Sequence, residues 1–450
     1  MFKPYAFCCA VAFVIAIPQD AHSAADDDLK QIRDQIRELK DSYDARIQVL
    51  EQRLKEAEAK AAQPPAASRA PPSNTFNPNI SLILSGAYKN LSQDPTAYRI
   101  GGFIRAGEDA GPGKRGFSLA ESELTLSANV DPFFSGQLTM SLSPENTVSA
   151  EEAFIAATAL GNGLNAKTGR FYSGIGYLNE QHAHAWDFAD NPLVYNTFLG
   201  RQFVHDGAQI KWLAPTDSFF EFGAEVGNGA RFPGTYRNKN GINAGAVFAH
   251  TGGDVGDSNS WRAGLSYLQT HAHRSFDDSI QGVATPFTFS GDSKIAAADF
   301  VWKWARNGSA KDINFKLQGE YFQRKEDGNL AFIHPLILAP QNNFNSPYAS
   351  DQAGWYVQVV YQFMPQWRAG LRYDRLSAGN IPLNGGSVLG ASFLADYQPS
   401  RATLMFDYNP SEFSRFRVQI AQDNSRPDTT DNQLTLQYIH SLGAHGAHKY

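Results

Sequence analysis

At 450 residues the chain could hold two or three ordinary domains, yet only 19% of it is charged, 12% is aromatic and the formal net charge is −6. The acidic balance argues against a nucleic-acid partner, and sparse charge combined with negative mean hydropathy is odd for a helical membrane protein. That mixture is expected where apolar residues alternate with Asn, Gln, Ser, Thr and Gly, as in an outer-membrane barrel.

Residues 1–25 read as a secretory signal: Lys3 is the basic start and Phe7 to Ile17 a short apolar core. Ala21-His22-Ser23 or Ser23-Ala24-Ala25 supplies the small-residue cleavage site. The apolar run is too short to span a bilayer. Cys8 and Cys9 both fall inside it, and Phe7 is too bulky to precede a lipid-attachment cysteine. The mature chain is therefore expected to have no disulfide, thiolate metal site or cysteine nucleophile.

Residues 26–62 are a different material. Leu29, Ile32, Ile36, Leu39, Tyr43, Ile47, Leu50, Leu54, Ala57 and Ala61 are spaced by threes and fours, with a stutter at Tyr43. This predicts a helix that self-associates as a coiled coil; a single amphipathic helix lying on another surface is the alternative. Residues 63–79, with Pro64-Pro65 and Pro71-Pro72, form a Pro/Ala-rich linker. Ile80 to Tyr88 is strand-like, with no evident place in a sheet.

From Tyr98 onward there are sixteen strand candidates. The clearest pair flanks Asn307-Gly308. Ala296, Ala298, Phe300, Trp302 and Trp304 share one face there, opposite Asp299 and Lys303, and Phe315, Leu317, Gly319 and Tyr321 alternate with Lys316, Gln318 and Glu320 beyond the turn. Period two across an Asn-Gly turn predicts a hairpin. Short turns recur at residues 130–133, 160–163, 215–217, 306–308, 363–365 and 409–411. Long connections lie between them at 171–204, 228–240, 274–294, 325–350 and 377–400. That alternation predicts an all-β fold: a 16-stranded antiparallel transmembrane β-barrel occupying residues 80–450, preceded by a periplasmic α-helical coiled coil. An even strand count brings both barrel ends to the periplasmic side.

Outward-facing candidates are Ile210 and Trp212; Phe220, Phe222 and Ala224; Trp261, Leu265 and Tyr267; Trp355, Val357, Val359 and Tyr361; Leu404, Phe406 and Tyr408; Phe416, Val418 and Ile420; and Leu434, Leu436 and Tyr438. Trp212, Trp302, Trp304 and Trp367 lie near turns, where an aromatic girdle belongs. Opposite these rows, Glu121, Glu123, Glu152, Lys211, Glu221, Glu225, Lys303, Lys316, Glu320, Arg324, Arg368, Arg372, Asp374, Asp407, Arg415 and Arg417 line the lumen. In water such charges cost little and set the field felt by a solute. Both signs are present, so composition predicts no strong ion preference.

The longest connection follows Gly169-Arg170-Phe171. It runs through a Gly-rich bend, Tyr172-Ser173-Gly174-Ile175-Gly176, and the stretch Gln181-His182-Ala183-His184-Ala185-Trp186-Asp187-Phe188 to Asp206-Gly207-Ala208-Gln209-Ile210. With the signal-like start, the helical seam, Asn409-Pro410-Ser411-Glu412-Phe413 and the terminal aromatic Tyr450, this arrangement resembles the phosphate-selective porins O and P. The resemblance implies a homotrimer through barrel and coiled coil, embedded in outer-membrane lipid, with the loop Tyr172–Val204 folded inward as a constriction. It also implies passive diffusion of small hydrophilic solutes or ions. Selectivity in that family rests on arginines and a lysine. The corresponding loop here carries Glu180, His182, His184, Asp187 and Asp190, with Arg201 its main cation, which departs from a phosphate-selective pattern.

Histidines pair at His182 and His184, His271 and His273, and His445 and His448. Imidazoles with carboxylates nearby suit Zn²⁺ or Ni²⁺, which makes His182 and His184 candidate metal ligands; water-bonded loop histidines are the plain alternative. A barrel enzyme would need a Ser or Asp nucleophile with a base at the rim. Ser173 precedes Gly174, but the Gly-x-Ser-x-Gly elbow is absent, so neither enzymatic activity nor a cofactor is expected. About 70 residues before the barrel are too few for the globular plug of an energised transporter. A coiled-coil spacer anchored by the barrel is a third, structural possibility.

Overall fold

The computed structural model describes residues 78–107, 110–235, 239–379, 381 and 391–443. The signal-like segment 1–25, the helical seam 26–62, the linker up to residue 77, His445, His448 and Tyr450 lie outside the described residues.

Seventeen strands form one antiparallel sheet: β1 (Asn79–Leu91), β2 (Gly116–Leu119), β3 (Ser122–Asn129), β4 (Phe134–Leu142), β5 (Val148–Ala157), β6 (Leu164–Tyr172), β7 (Val204–Leu213), β8 (Phe219–Gly227), β9 (Ala244–Val255), β10 (Asn259–Ile280), β11 (Val283–Ala305), β12 (Asn314–Ile333), β13 (Asn343–Met364), β14 (Trp367–Ser377), β15 (Ser400–Ser411), β16 (Ser414–Arg426) and β17 (Thr429–Gly443). The sheet closes where β1 pairs with β17, from Ser81 opposite Gly443 to Leu91 opposite Gln433. Both β2 and β3 pair with β1, their registers offset by one residue across Ala120-Glu121. They are one interrupted stave, so seventeen strands make a sixteen-staved barrel.

Two expectations are corrected here. The first stave is the segment around Ile80 to Tyr88, so fifteen staves, not sixteen, follow Tyr98. Its partner β17 lies more than 300 residues away, a pairing that local pattern does not contain. Residues 274–294 and 325–350, read as loops, are largely the upper halves of β10 to β13, which run 22, 23, 20 and 22 residues. A tilted strand needs only about 9–11 residues to cross the hydrocarbon. These strands are longer than that, and in their far halves the parity reverses, with polar residues outside and apolar residues turned inward. Ile280, Phe287, Phe289, Leu330, Phe332 and Tyr348 accordingly form a buried cluster inside the barrel with Ile104 and Phe393.

In the halves nearer the short turns the outer rows are apolar and exposed, including Ile210, Phe222, Leu265, Phe300, Trp302, Tyr321, Val357, Leu371, Phe406 and Ile420. In a sheet, residues two apart share a face, so each such row fixes the opposite row as interior. The turn between β11 and β12 is reached as expected at Arg306–Gly308, with Asn307 (φ 52°) and Gly308 (φ 70°) in the left-handed region that Asn and Gly tolerate best. Both described barrel ends lie on the side of the short turns. A short helix, α1 (Leu193–Phe198), sits inside the barrel within the β6–β7 connection, every residue buried.

Candidate functional site

The β6–β7 connection folds into the lumen because the wall supplies partners along its length. Gly174 N–H donates to Glu225 Oε1 (2.8 Å), and the Ser173 hydroxyl is also bonded to Glu225. Gly176 N–H donates to Ser266 Oγ (3.0 Å), and the N–H groups of Tyr177 and Leu178 donate to Glu320 (3.0 and 3.1 Å). The loop approaches that carboxylate so closely that a Cβ on Gly176 (φ +67°) would lie 2.4 Å from Glu320 Oε2. Only glycine meets both demands. Asn179 ties the two limbs of the loop, donating to Ser173 O and Phe203 O and accepting from Phe203 N–H (2.8, 2.9 and 2.7 Å).

The far side of the loop reaches β12 and β14 to β16. Asp187 pairs with Lys316 (2.9 Å) and Arg368 (3.2 Å), and Asp190 with Arg372 (2.9 Å) and Arg401 (2.7 Å). Burial pushes both carboxyls up, but these cations outweigh it and hold them well below the usual carboxylate range. Leu193 N–H, at the start of α1, donates to Asp374 (2.9 Å), and Arg324 donates to Thr197 O (3.0 Å). Arg417 bridges Asp407 (2.8 Å) and Trp186 O (3.1 Å), while Arg415 reaches Trp186 O and His184 O. Leu178, Trp186, Leu193, Val194, Tyr195 and Phe198 pack as an apolar core against Phe322, Tyr356 and Leu376 of the wall.

The inward charges therefore do not all stand in water, as the sequence reading had it. Glu123, Glu225, Glu320, Arg324, Arg372, Asp374, Asp407 and Arg417 are buried under the loop. Their cost is offset by pairing with loop carboxylates, carbonyls and N–H groups. Lys211, Glu221, Lys303, Lys316, Arg368 and Arg415 keep partial exposure on the turn side, where Lys211 lies 3.2 Å from Glu180 and 3.3 Å from Glu221. Arg201, at the loop's end, pairs with Glu121 (2.8 Å). On the turn side between β10 and β16 the cation is the more exposed partner, Arg262 at 23% against 0% for Asp299 and Arg415 at 18% against 0% for Asp407, whereas Lys211 at 19% is less exposed than Glu180 at 35%.

His182 and His184 meet the wall at a group of carboxylates. His182 Nδ1 lies 3.1 Å from both Glu123 and Glu151, and its Nε2 lies 3.1 Å from Glu152. His184 Nδ1 lies 3.0 Å from Glu123, with the two rings stacked at 5.8 Å. Burial pulls the His182 pKa down, but the three carboxylates prevail and raise it well above its ordinary value. Glu151 escaped the sequence reading because period two sends it to the lipid side. A bulge between β4 and β5 skips it, with Thr139 opposite Glu152 and Met140 opposite Ala150, so consecutive acids reach the interior. Arg401 was missed because it follows directly on an irregular connection. By contrast His271 and His273 lie on the exposed face of β10, bonded to Asp292 and to Ser290 (2.6 Å).

No established family model matches the chain. A protein of Aquifex aeolicus (strain VF5), described only as uncharacterized, is 32% identical over 404 residues, covering 83% of this chain and 80% of its own length. Among solved structures, a loop L8 deletion mutant of OmpT, an outer membrane protein of Vibrio cholerae, superposes with TM-score 0.50 at 14% identity, covering 81% of this chain and 99% of its own. The outer membrane channel DcaP of Acinetobacter baumannii gives 0.47 at 12% identity, covering 81% and 97%. The first of these likenesses agrees with the closed antiparallel barrel; the identity carries the likeness no further than fold.

Proposed function

The chain belongs to one family with the Aquifex aeolicus protein, and from that premise we propose that it is an outer-membrane porin passing small hydrophilic solutes or ions by passive diffusion. The observation that carries this reading is the inner loop. A sixteen-staved barrel with an apolar outside encloses a segment from its own wall, and a strip of half-exposed charge runs beside it. Such a passage would draw on the solute gradient and select by width and lining charge. On the turn side from β10 to β16 the cations stand forward of their carboxylates, and these pairs outnumber that of Lys211, so the preferred solutes are anionic, a finer expectation than composition allowed.

The outer face between β5 and β8 supports assembly from identical chains. Arg170 and Asp206 pair across that face at 2.6 Å, beside a hollow of about 710 Å³ lined by Ala150, Ala153, Gly169, Gly207 and Gly227. Charge on a lipid-facing surface is costly, whereas small residues let a second barrel approach. A trimer accords with the resemblance.

Purified protein in planar bilayers should give stepwise conductance, with reversal potentials in a salt gradient favouring the anion. Folded protein that passes no current would overturn the porin reading, and a cation-favouring potential would overturn the charge argument alone. Ser173 is fully buried against Glu225, which supports the expectation that it is no nucleophile.

A further inference from the structure

Where the loop first crosses to the wall, β3 contributes Glu123, the bulged β5 contributes Glu151 and Glu152, and the loop contributes His182 and His184. The three carboxylates and His182 are between 1% and 19% exposed at their side chains. A neutral imidazole has one N–H to give, yet three carboxylate oxygens crowd the two nitrogens of His182. Glu121 adds a fourth carboxylate, hydrogen-bonded to Glu151, with Arg201 its nearby counter-ion. That bond needs a proton on one of the two carboxyls, and the three carboxylates of Glu123, Glu151 and Glu152 remain converged on His182.

The distances indicate what this group suits. Ligand atoms held at about 2.0–2.2 Å from one ion stand roughly 3.0–3.5 Å apart along the edges of its coordination shell. His182 Nδ1 is 3.1 Å from one oxygen of Glu123 and 3.1 Å from one of Glu151, and the three ligand atoms lie within 4.8 Å of one another. We propose that Glu123, Glu151 and His182 bind a divalent first-row transition ion of the zinc type, with His184 and Glu152 holding His182 and Glu123 in place. The imidazole nitrogen favours such an ion over Mg²⁺ or Ca²⁺. The ion fastens the loop to β3 and β5, and this site stands whether or not solutes pass through the barrel. Because it takes the place of a proton on His182, its affinity rises with pH. The titratable and charged groups facing His182 are Glu121, Glu123, Glu151, Glu152, Tyr172, His184 and Arg201.

Full-length protein, folded in detergent and stripped with chelator, would be titrated with ZnCl₂ by calorimetry in mildly acidic and mildly alkaline buffer. One ion per chain is expected, bound more tightly at the higher pH. His182→Ala and Glu151→Gln should each lose about tenfold or more in affinity, while His271→Ala with His273→Ala, and His445→Ala with His448→Ala, should not. Heat-modified electrophoretic mobility shows whether each variant is folded. If one is not, Co²⁺ absorption of the wild type decides, since nitrogen–oxygen ligation gives a visible band displaced from that of hexaaquo-Co²⁺. No saturable site, or folded His182→Ala and Glu151→Gln variants that bind as the wild type does, would overturn the proposal.

Discussion

Tyr195, at the middle of α1, donates its phenol proton to Glu320 of β12 at 2.9 Å, and the same carboxylate accepts the N–H groups of Tyr177 and Leu178 from the opposite limb of the loop. One wall residue thus holds both the descending chain and the helix that follows it. Burial, with the Glu320 charge beside it, raises the Tyr195 pKa well above the phenol range, so the proton stays on oxygen to be donated. Hydrogen bonds to charged groups contribute about 1.5–3 kcal/mol each. Tyr195→Phe should loosen the loop by about that amount, and Glu320→Ala by more, because four donors, the Tyr356 hydroxyl of β13 among them, then lose this acceptor. Single-channel traces should show larger, noisier openings in the order wild type, Tyr195→Phe, Glu320→Ala. Identical traces for all three would mean that the loop does not limit the passage.

Asp187 and Asp190 test the opposite side of the loop. Each faces two wall cations, and removing one partner of a buried ion pair costs about 3–5 kcal/mol, because the remaining charge is stranded. Asp187→Asn takes the carboxylate from Lys316 and leaves Arg368 with Asp407 alone; Asp190→Asn leaves Arg372 and Arg401 to share Asp374, so each falls toward the lower end of that range. Both variants should lower the thermal midpoint and shift the reversal potential further toward anions, the former more strongly because Lys316 and Arg368 remain partly exposed. An unmoved reversal potential in a folded Asp187→Asn variant would separate this ion pair from the solute path.

How far the sequence announced these features follows from which interactions are local. The Asn307-Gly308 hairpin was legible because its pattern, turn and partner all lie within 30 residues. The closure of β1 on β17 was not, since hydrogen bonds between Ser81–Leu91 and Gln433–Gly443 leave no trace in either segment alone. Residues 274–294 misled for a different reason. The alternation persists there, but Phe287 and Phe289 point inward while Thr288 and Ser290 point out, so a rule tuned to lipid read a strand as a polar loop. Inward charges such as Arg372 and Arg417 could be assigned to the interior by parity, yet parity says nothing of what covers them. The covering loop carries its own acids, Asp187 and Asp190, and they were legible as candidates without being legible as clamps. Glu151 depended on a single-residue bulge, which period two forbids by construction.

Acid and alkali should undo different tethers. The Asp187 and Asp190 carboxyls have folded pKa values below their unfolded ones. Their contribution is therefore complete above the ordinary carboxylate pKa of about 4 and is lost as pH falls through the depressed folded values. His182 runs the other way. Its folded pKa is raised, so in metal-free protein its contribution is complete below about 6.5 and fades as pH rises through the folded value. The difference in thermal midpoint between wild type and His182→Gln should therefore be largest in mildly acidic, chelator-treated buffer and shrink toward alkaline pH. The difference for Asp190→Asn should hold through neutral pH and shrink only in strong acid. A His182→Gln difference that grows with pH would reverse the assignment of charge.

Leu265, on β10, is 67% exposed and stands in an apolar row with Tyr267, opposite buried Ser266. If that row meets lipid, Leu265→Arg should cost about 2–4 kcal/mol near the midplane, falling toward the interfaces. A surface facing water would register no more than about 0.5 kcal/mol for the same change. The contrast is sharpened by placing Arg at His271, six residues along the same outer face but in the far half of β10, where that face is polar and the side chain already bonds Asp292. Reversible unfolding in lipid vesicles should therefore separate Leu265→Arg from His271→Arg by most of the cost of bringing a guanidinium into hydrocarbon. Equal, small effects at both positions would put water against Leu265, and the outer rows would then need some other apolar partner.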